Sequence, residues 1–271
     1  MKISAVVLTK NEEKNIEKCL AGLSWCDEIV VVDDYSEDET LNIIKNLKIK
    51  MENDNLKLKI FQRNLGNNFA GQRNFGLSKA SGDWVLFVDA DERVTKELVQ
   101  EIQSFNPSTS LRVKDSKLQR LKGFYIKRKD FMWGREMKFG ETGDIKLLRL
   151  ARKNSGKWER EVHEVWNING VTNTLNAPLL HFPHPDVAQF VEDVNNYSDL
   201  NVSALQKTGK KTGFLIIFLW PLCKFSYNFV IKKGFLDGTR GFIAAVMMSF
   251  HSFLSRSKLY FRQYGKNNQE N

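Results

Sequence analysis

Cysteine is scarce in this chain of 271 residues: Cys19, Cys26 and Cys223 are the only three, and no CxxC spacing joins any two of them. A disulfide framework and a cysteine-built zinc site are excluded, and the usage suits a reducing cytoplasm. A GxGxxG fingerprint is missing after the first apolar segment, as is a GxxxxGK[ST] loop, which argues against a dinucleotide oxidoreductase and a P-loop kinase. MKISAVVLT runs straight into the polar KNEEK, unlike the apolar core of a signal peptide. No internal repeat is visible, and no apolar run reaches the roughly 20 residues of a spanning helix. Acid is nearly absent from the end of the chain. From Asn201 to Asn271 there are 11 Lys/Arg against Asp237 and Glu270, so this segment carries the whole +9 charge and residues 1–200 are neutral.

What is present is a series of short apolar runs that stop at polar residues. WVLFVDADE (residues 84–92) reads as a buried strand opening into a site, with alternation turning Asp89 and Asp91 to one side. Two carboxylates crowded together are costly, and Mg²⁺ or Mn²⁺ with oxygen ligands relieves the repulsion while holding a substrate phosphate. The plainer reading is that one carboxylate caps a helix starting near Thr95 and the other is solvated. ISAVVLT (Ile3 to Thr9) and EIVVVDD (Glu28 to Asp34) are further strands, each followed by helical spacing, through Ile16, Leu20 and Leu23 and then through YSEDETLNIIKNL, where Ser36 or Asp38 is the cap. Strand, helix, strand, helix implies a parallel sheet with right-handed crossovers. Ligands of such sheets lie beyond the carboxyl ends of the strands, where Thr9 with Asn11, Asp33 with Asp34, and Asp89 with Asp91 all fall.

VVLTKNEE, VVVDDYSEDET and AGQRNFGLSKASGDWVLFVDADE together resemble the N-terminal half of the family 2 glycosyltransferases. The resemblance implies the α/β GT-A fold, a Rossmann-like, mostly parallel sheet with helices on both faces, and a nucleotide-sugar donor, expected to be UDP-linked. It makes Thr9, Glu12 and Asp34 nucleoside contacts, Asn11 and Arg73 donor-site contacts, and Asp89 and Asp91 the side that holds the diphosphate and a divalent metal. Lys10 stands where the family often has an aromatic residue. The chemistry agrees, because a carboxylate accepts the imide N–H of uracil, while a metal and an arginine neutralise a departing diphosphate. A nucleotidyltransferase would use similar acidic strand ends, and a noncatalytic nucleotide-sugar-binding protein would be expected to have lost the paired aspartates.

The second half should supply the acceptor side. GFYIKRKDF (Gly123 to Phe131) and IKLLRLARK (Ile145 to Lys153) read as strands separated by the loop MWGREMKFGETGD. Inversion at the anomeric carbon needs a carboxylate to take the acceptor proton, and Glu141, Asp144, Glu161 and Glu164 are the candidates. GDIKLLRLARK with GKWEREVHEV resembles the lipopolysaccharide-core β-1,4-glucosyltransferase branch, in which the base follows that strand, so Glu164 comes first and Asp144 second. His163 reads either as a third metal ligand or as a structural residue. His181 and His184, in LLHFPHPD, favour loop and packing roles. NPSTSLRVKDSKLQR (Asn106 to Arg120) reads as an irregular insertion.

The expected division is a catalytic domain over 1–200 and a basic, apolar helical region over 201–271. GFLIIFLWPLC (Gly213 to Cys223) and GFIAAVMMSFHSFL (Gly241 to Leu254) are its apolar runs, the second with Phe242, Ile243, Val246, Met247, Phe250 and Phe253 on one helical face. Aromatic-rich faces flanked by Lys and Arg read as helices in the interface of an anionic membrane, on the inner face of the cell membrane. Packing on the catalytic domain or within a homo-oligomer is the alternative, and the apolar share argues against nucleic acid. GFLDGTRGF resembles the C-terminal region of the same branch. The expectation is thus an inverting, metal-dependent hexosyltransferase acting on a glycan or glycolipid acceptor.

Overall fold

A computed structural model describes residues 2–52, 57–105 and 120–264. Apart from Arg120, the expected insertion lies outside the described residues. In chain order the elements are β1 (Ile3–Thr9), α1 (Ile16–Ala21), β2 (Glu28–Asp33), α2 (Thr40–Glu52), β3 (Lys57–Gln62), α3 (Phe69–Lys79), β4 (Trp84–Asp89), β5 (Glu92–Val94), α4 (Lys96–Ser104), β6 (Leu121–Met132), β7 (Arg135–Met137), β8 (Ile145–Arg152), β9 (Gly156–Glu159), β10 (Val165–Ile168), β11 (Val171–Thr174), β12 (Leu179–His181), α5 (Val187–Lys207), α6 (Phe214–Ser226) and α7 (Gly238–Tyr264). They form two compact units: Met1–Arg128 with Lys146–His181, and Lys129–Ile145 with Phe182–Asn271. The division expected at residue 200 falls inside α5, because that amphipathic helix buries Phe190 and Val194 in the core of the second unit.

The first unit is built on a sheet in the order β3-β2-β1-β4-β8-β6-β12-β5. β3, β2, β1 and β4 pair in parallel, as the alternation of strand and helix requires, and β8 joins β4 antiparallel. Alternation divides the core between two faces. Ile3, Ala5, Val7, Leu86 and Val88 pack with Leu20, Ile44, Leu98 and Ile102 from α1, α2 and α4. Val6, Val30, Val32, Val85 and Phe87 pack with Ala70 and Leu77 of α3 and with Trp158 and Trp166. With helices on both faces, the central strands are buried throughout and read as continuous apolar runs. α4 begins where expected, but its cap is the Thr95 hydroxyl, which accepts from the Leu98 N–H at 3.1 Å, so neither Asp89 nor Asp91 is used for that purpose. At the start of α2, Asp38 accepts from the Thr40 N–H at 3.0 Å.

Apart from β7 and the adjoining end of β6, the second unit is helical. Phe190 and Val194 of α5 pack against Met247 of α7, with Trp133, Ile243, Met248 and Leu254 around them. Asp199 pairs with Lys258 at 2.6 Å and Arg262 at 3.0 Å. The face expected on α7 is split: Met247 goes to the core, whereas Phe242, Val246, Phe250 and Phe253 stay exposed. α6 buries no side chain and passes through Pro221 to Ser226, where Tyr227–Ile231 continues it as a π-turn. Phe214–Ile231 is therefore one helical stretch of 18 residues, long and apolar enough by length and composition to cross a membrane. The apolar run, read as ending at Cys223, looked too short in the sequence because Lys224 and Ser226 interrupt it without ending the helix.

Glu28 ties the parallel strands together at their amino ends. Its buried carboxylate accepts from the Ser4 hydroxyl of β1 at 2.5 Å and the Ser81 N–H at 2.7 Å, and pairs with Lys59 of β3 at 2.5 Å. Burial alone would raise its pKa, but Lys59 and the serine hydrogen bonds outweigh that and hold it at about 2. A depressed carboxylate stabilises fully above its unfolded value and loses that contribution as pH falls through the folded one. Between pH 4.5 and pH 2 the wild type should therefore lose stability faster than Glu28→Gln, as read from urea midpoints. Parallel slopes would remove Glu28 from this role.

Candidate active site

The register brings the polar strand ends together. Thr9 pairs with Asp33 and Leu8 with Asp89, so the ends of β2, β1 and β4 lie within roughly 10 Å of one another. Thr9 is 5% exposed and its Oγ1 has no hydrogen-bond partner. Asp33 is used internally, accepting from the Ser36 N–H at 3.0 Å and the Gln62 Nε2 at 3.2 Å. Asp34 accepts from the Leu65 N–H at 2.8 Å, and Lys10 pairs with it at 3.1 Å, which gives the lysine at this position a partner. Asn11, at φ 53°, joins the first strand end to the second: its N–H donates to Ser36 Oγ at 2.9 Å and its Oδ1 accepts from the Glu37 N–H at 2.8 Å. The Glu12 N–H donates to Thr40 Oγ1 at 2.7 Å.

β4 ends at Asp89, so the turn rather than strand alternation places Asp91; the two carboxylates nevertheless repel each other at close quarters. Asp89 lies between two buried arginines, Arg73 Nη2 at 2.9 Å and Arg149 Nη2 at 2.5 Å. Arg149 also pairs with the wholly buried Glu92 at 3.1 Å, and Arg73 Nε donates to Glu164 at 2.8 Å. The Arg73 guanidinium lies 4.8 Å from the Trp158 ring centroid and 5.8 Å from that of Phe87. Burial raises the pKa of Asp89, but Arg149 and Arg73 overcome it and hold the group well below the usual carboxylate range. Burial also opposes ionisation of Asp91, where His181 Nε2 at 3.1 Å prevails and lowers the pKa. For Glu92 burial wins and its pKa rises.

Arg149, Glu92 and His181 were not among the residues expected here. Arg149 had a signal, since an arginine inside the apolar run LLRLA must find a carboxylate once buried. His181 contacts Asp91, while His163 is exposed in the turn before β10 at φ 55°, one residue from Glu164. His184 does pack, stacked on Phe190 at 3.8 Å and 2.8 Å from Asp193. Among the acidic candidates Glu164 joins Arg73 and Glu161 is exposed, both in the first unit. Asp144, exposed, and Glu141, paired with Lys224, belong to the second.

Among the described residues, no three His, Cys, Asp or Glu side chains gather as a metal-holding group. Asp89 and Asp91 keep part of their side chains open, 26% and 22%. Magnesium and manganese are commonly held by one or two carboxylates completed by substrate phosphates, and this donor set fits that mode. Arg73 Nη1 and Arg149 Nε, like Thr9 Oγ1, are buried without a hydrogen-bond partner, leaving donors for a polar ligand.

Residues 4–105 match the family model for Glycosyl transferase family 2, which spans β1 to the end of α4. The chain carries a family 2 glycosyltransferase domain. It is 29% identical over 270 residues to an uncharacterised glycosyltransferase of Rickettsia bellii, covering 95% of this chain and 86% of that protein. It is 26% identical over 268 residues to the lipopolysaccharide core biosynthesis glycosyltransferase LpsC of Rhizobium meliloti, covering 96% and 92%. The crystal structure of Staphylococcus aureus TarS 1–349 in complex with UDP-GlcNAc aligns with 97% of this chain and 85% of that one at 21% identity and a TM-score of 0.48. The enzyme class is glycosyltransferase, and all the strand-end residues lie within the family 2 domain, whereas Arg149, Glu164 and His181 lie beyond the matched residues.

Removing one member of a buried ion network leaves the other charges uncompensated and costs about 3–5 kcal/mol. Arg149→Met should therefore destabilise the protein by about that much in urea unfolding, and adding Glu92→Gln should recover part of it. A loss below about 1 kcal/mol would mean that Asp89 and Glu92 do not depend on Arg149.

Proposed function

We propose that the protein is an inverting, metal-dependent hexosyltransferase that moves glucose from UDP-glucose onto a glycan or glycolipid acceptor of the lipopolysaccharide-core kind, at the cytoplasmic face of a membrane. The observation that carries this reading is the junction of β2, β1 and β4, where Thr9 and Asp34 meet Asp89 and Asp91 beside arginine donors without partners. The match along nearly the whole length of LpsC supports the acceptor class.

In this reading Thr9, Glu12 and Asp34 receive the nucleoside, and Asn11 is a further donor-site contact. Asp34 retains lone pairs for a uracil imide beyond those used by Leu65 and Lys10. Asp91 with Asp89 would hold Mg²⁺ or Mn²⁺, which offsets the charge of the leaving diphosphate. His163 would serve as a further ligand of that metal, and His181 contacts Asp91. Arg73 holds Asp89 and Glu164 in one geometry and turns its unpartnered Nη1 to the donor. The acceptor oxygen attacks the anomeric carbon as its bond to the diphosphate breaks. Glu164 takes the hydroxyl proton, with Asp144 as the second choice of base. The exposed apolar surface of α6 and the flanking lysines bring the enzyme to an anionic bilayer.

Nucleotide release from a panel of nucleotide sugars, UDP-glucose included, tests the assignment. Asp91→Asn or a chelator should remove most turnover with the fold intact, and full activity in EDTA would exclude the metal. Glu164→Gln should lower kcat by about 10²–10⁴ with donor affinity nearly unchanged, and Asp144→Asn should be milder. The reverse order would exchange the two carboxylates.

A further inference from the structure

GFLDGTRGF (residues 234–242) lies in the second unit, outside the family 2 domain, and its glycines have a common geometric cause. A Cβ on Gly241 would stand 1.9 Å from the Gly234 carbonyl oxygen, and one on Gly234 would stand 2.7 Å from that of Asn228. Gly238 turns the chain at φ 63°. Only glycine permits so close a passage between the turn at Gly234–Asp237 and the start of α7.

That passage delivers two side chains to the loop between Met132 and β8. The Asp237 carboxylate accepts from the Lys138 N–H at 3.1 Å and the Phe139 N–H at 2.9 Å. Arg240 Nε donates to the Trp133 carbonyl at 3.2 Å, at the other end of the same loop. The Gly140 N–H donates to the Lys232 carbonyl at 2.9 Å, and Lys224 pairs with Glu141. The loop that carries Glu141 and Asp144 is thus fastened along its length to residues 224–240.

The fastening segment is also part of an exposed apolar and basic surface. Phe214 is 77% and Ile231 68% exposed, with Val230, Phe235 and Leu236 open beside Lys232 and Lys233. Such a surface, in a tail with 11 Lys/Arg against two acids, is complementary to an anionic bilayer. We propose that Asp237 is a positioning residue through which binding to an anionic lipid surface orders the Lys138–Asp144 loop. Lipid contact restrains α6 and the turn after it, and the carboxylate passes that restraint to two loop amides. The coupling rests on the membrane reading above, because a ligand shifts a conformational equilibrium only through contacts that differ between the two states.

Hydrogen exchange of the full-length protein, with vesicles of phosphatidylcholine and phosphatidylglycerol and with phosphatidylcholine alone, tests it. Mixed vesicles should slow exchange across residues 138–144 in the wild type by about tenfold, the scale of one well-made hydrogen bond, with little effect from phosphatidylcholine. In Asp237→Ala, which removes the acceptor, the slowing should be lost although the variant still sediments with mixed vesicles, and Asp237→Glu, which keeps the acceptor, should restore part of it. Equal slowing in Asp237→Ala, or sedimentation of the wild type without slowing, would overturn the coupling alone. Failure of the wild type to sediment with mixed vesicles would overturn it together with the membrane reading. Should Asp237→Ala not fold, the comparison of wild type with Asp237→Glu decides, full slowing in the wild type and partial slowing in the variant being required.

Discussion

The carboxylate of Asp89, held between Arg73 and Arg149, is the interaction on which the first unit turns. A carboxylate at the end of a buried strand stays ionised only if opposite charge reaches it, and neither arginine is near it in sequence. One comes from α3, which must therefore cross over beside β4. The other comes from β8, which must lie antiparallel against β4 with Leu150 opposite Leu86. The demand of one acidic group thus constrains both a crossover helix and the first antiparallel strand. It also explains why Glu92, next to the same arginine, tolerates complete burial.

Packing keeps those arginines in place. Phe87 contacts Trp158 and Trp166 edge to face, each at 5.0 Å, and the two tryptophans stack at 5.3 Å. Arg73 lies over this aromatic cluster, so its stem loses little by desolvation while its Nε and Nη2 stay directed toward the acidic groups. The strand alternation that sends Asp89 into the site also sends Phe87 into the aromatic floor, two residues earlier on the same face. Sequence order within β4 therefore supplies both the charge and the platform for its counter-charge.

β1, β2 and β4 were legible because strands covered on both faces leave unbroken apolar runs, and their polar ends marked the site. β3 was not, since Lys57 and Lys59 alternate with Leu58 and Ile60 on an edge strand that looks like polar loop. β5 and β12 are three residues each, too short for a period to show, yet their pairing brings His181 opposite Glu92 and hence close to Asp91. Local pattern reports which face of an element is buried and carries little about partners distant in the chain. Asp89 was identified from its neighbours, whereas its contact with Arg149, 60 residues away, depends on the completed topology. The helix through Pro221 was underestimated for a related reason: the apolar pattern stops at Lys224, whereas the helix runs on to Ser226, with the Pro221 carbonyl also accepting from the Ser249 hydroxyl of α7 at 2.7 Å.

The second unit resolves a different conflict. α6 is apolar all round and buries nothing, an arrangement unfavourable in water unless another phase or partner covers it. α7 lends it some support: Phe242 packs edge to face on Phe225 and Phe229, and Arg256 covers the Trp220 ring at 4.4 Å. The remaining surface is left open, and the basic residues gathered around it disfavour burial against a like-charged copy of the same segment while favouring an anionic one. A tail selected only to complete a core would place its apolar side chains inward and its charges evenly; this one leaves the apolar faces of α6 and of half of α7 outward, and its glycines at 234, 238 and 241 hold the turn that connects that outward surface to the loop preceding β8.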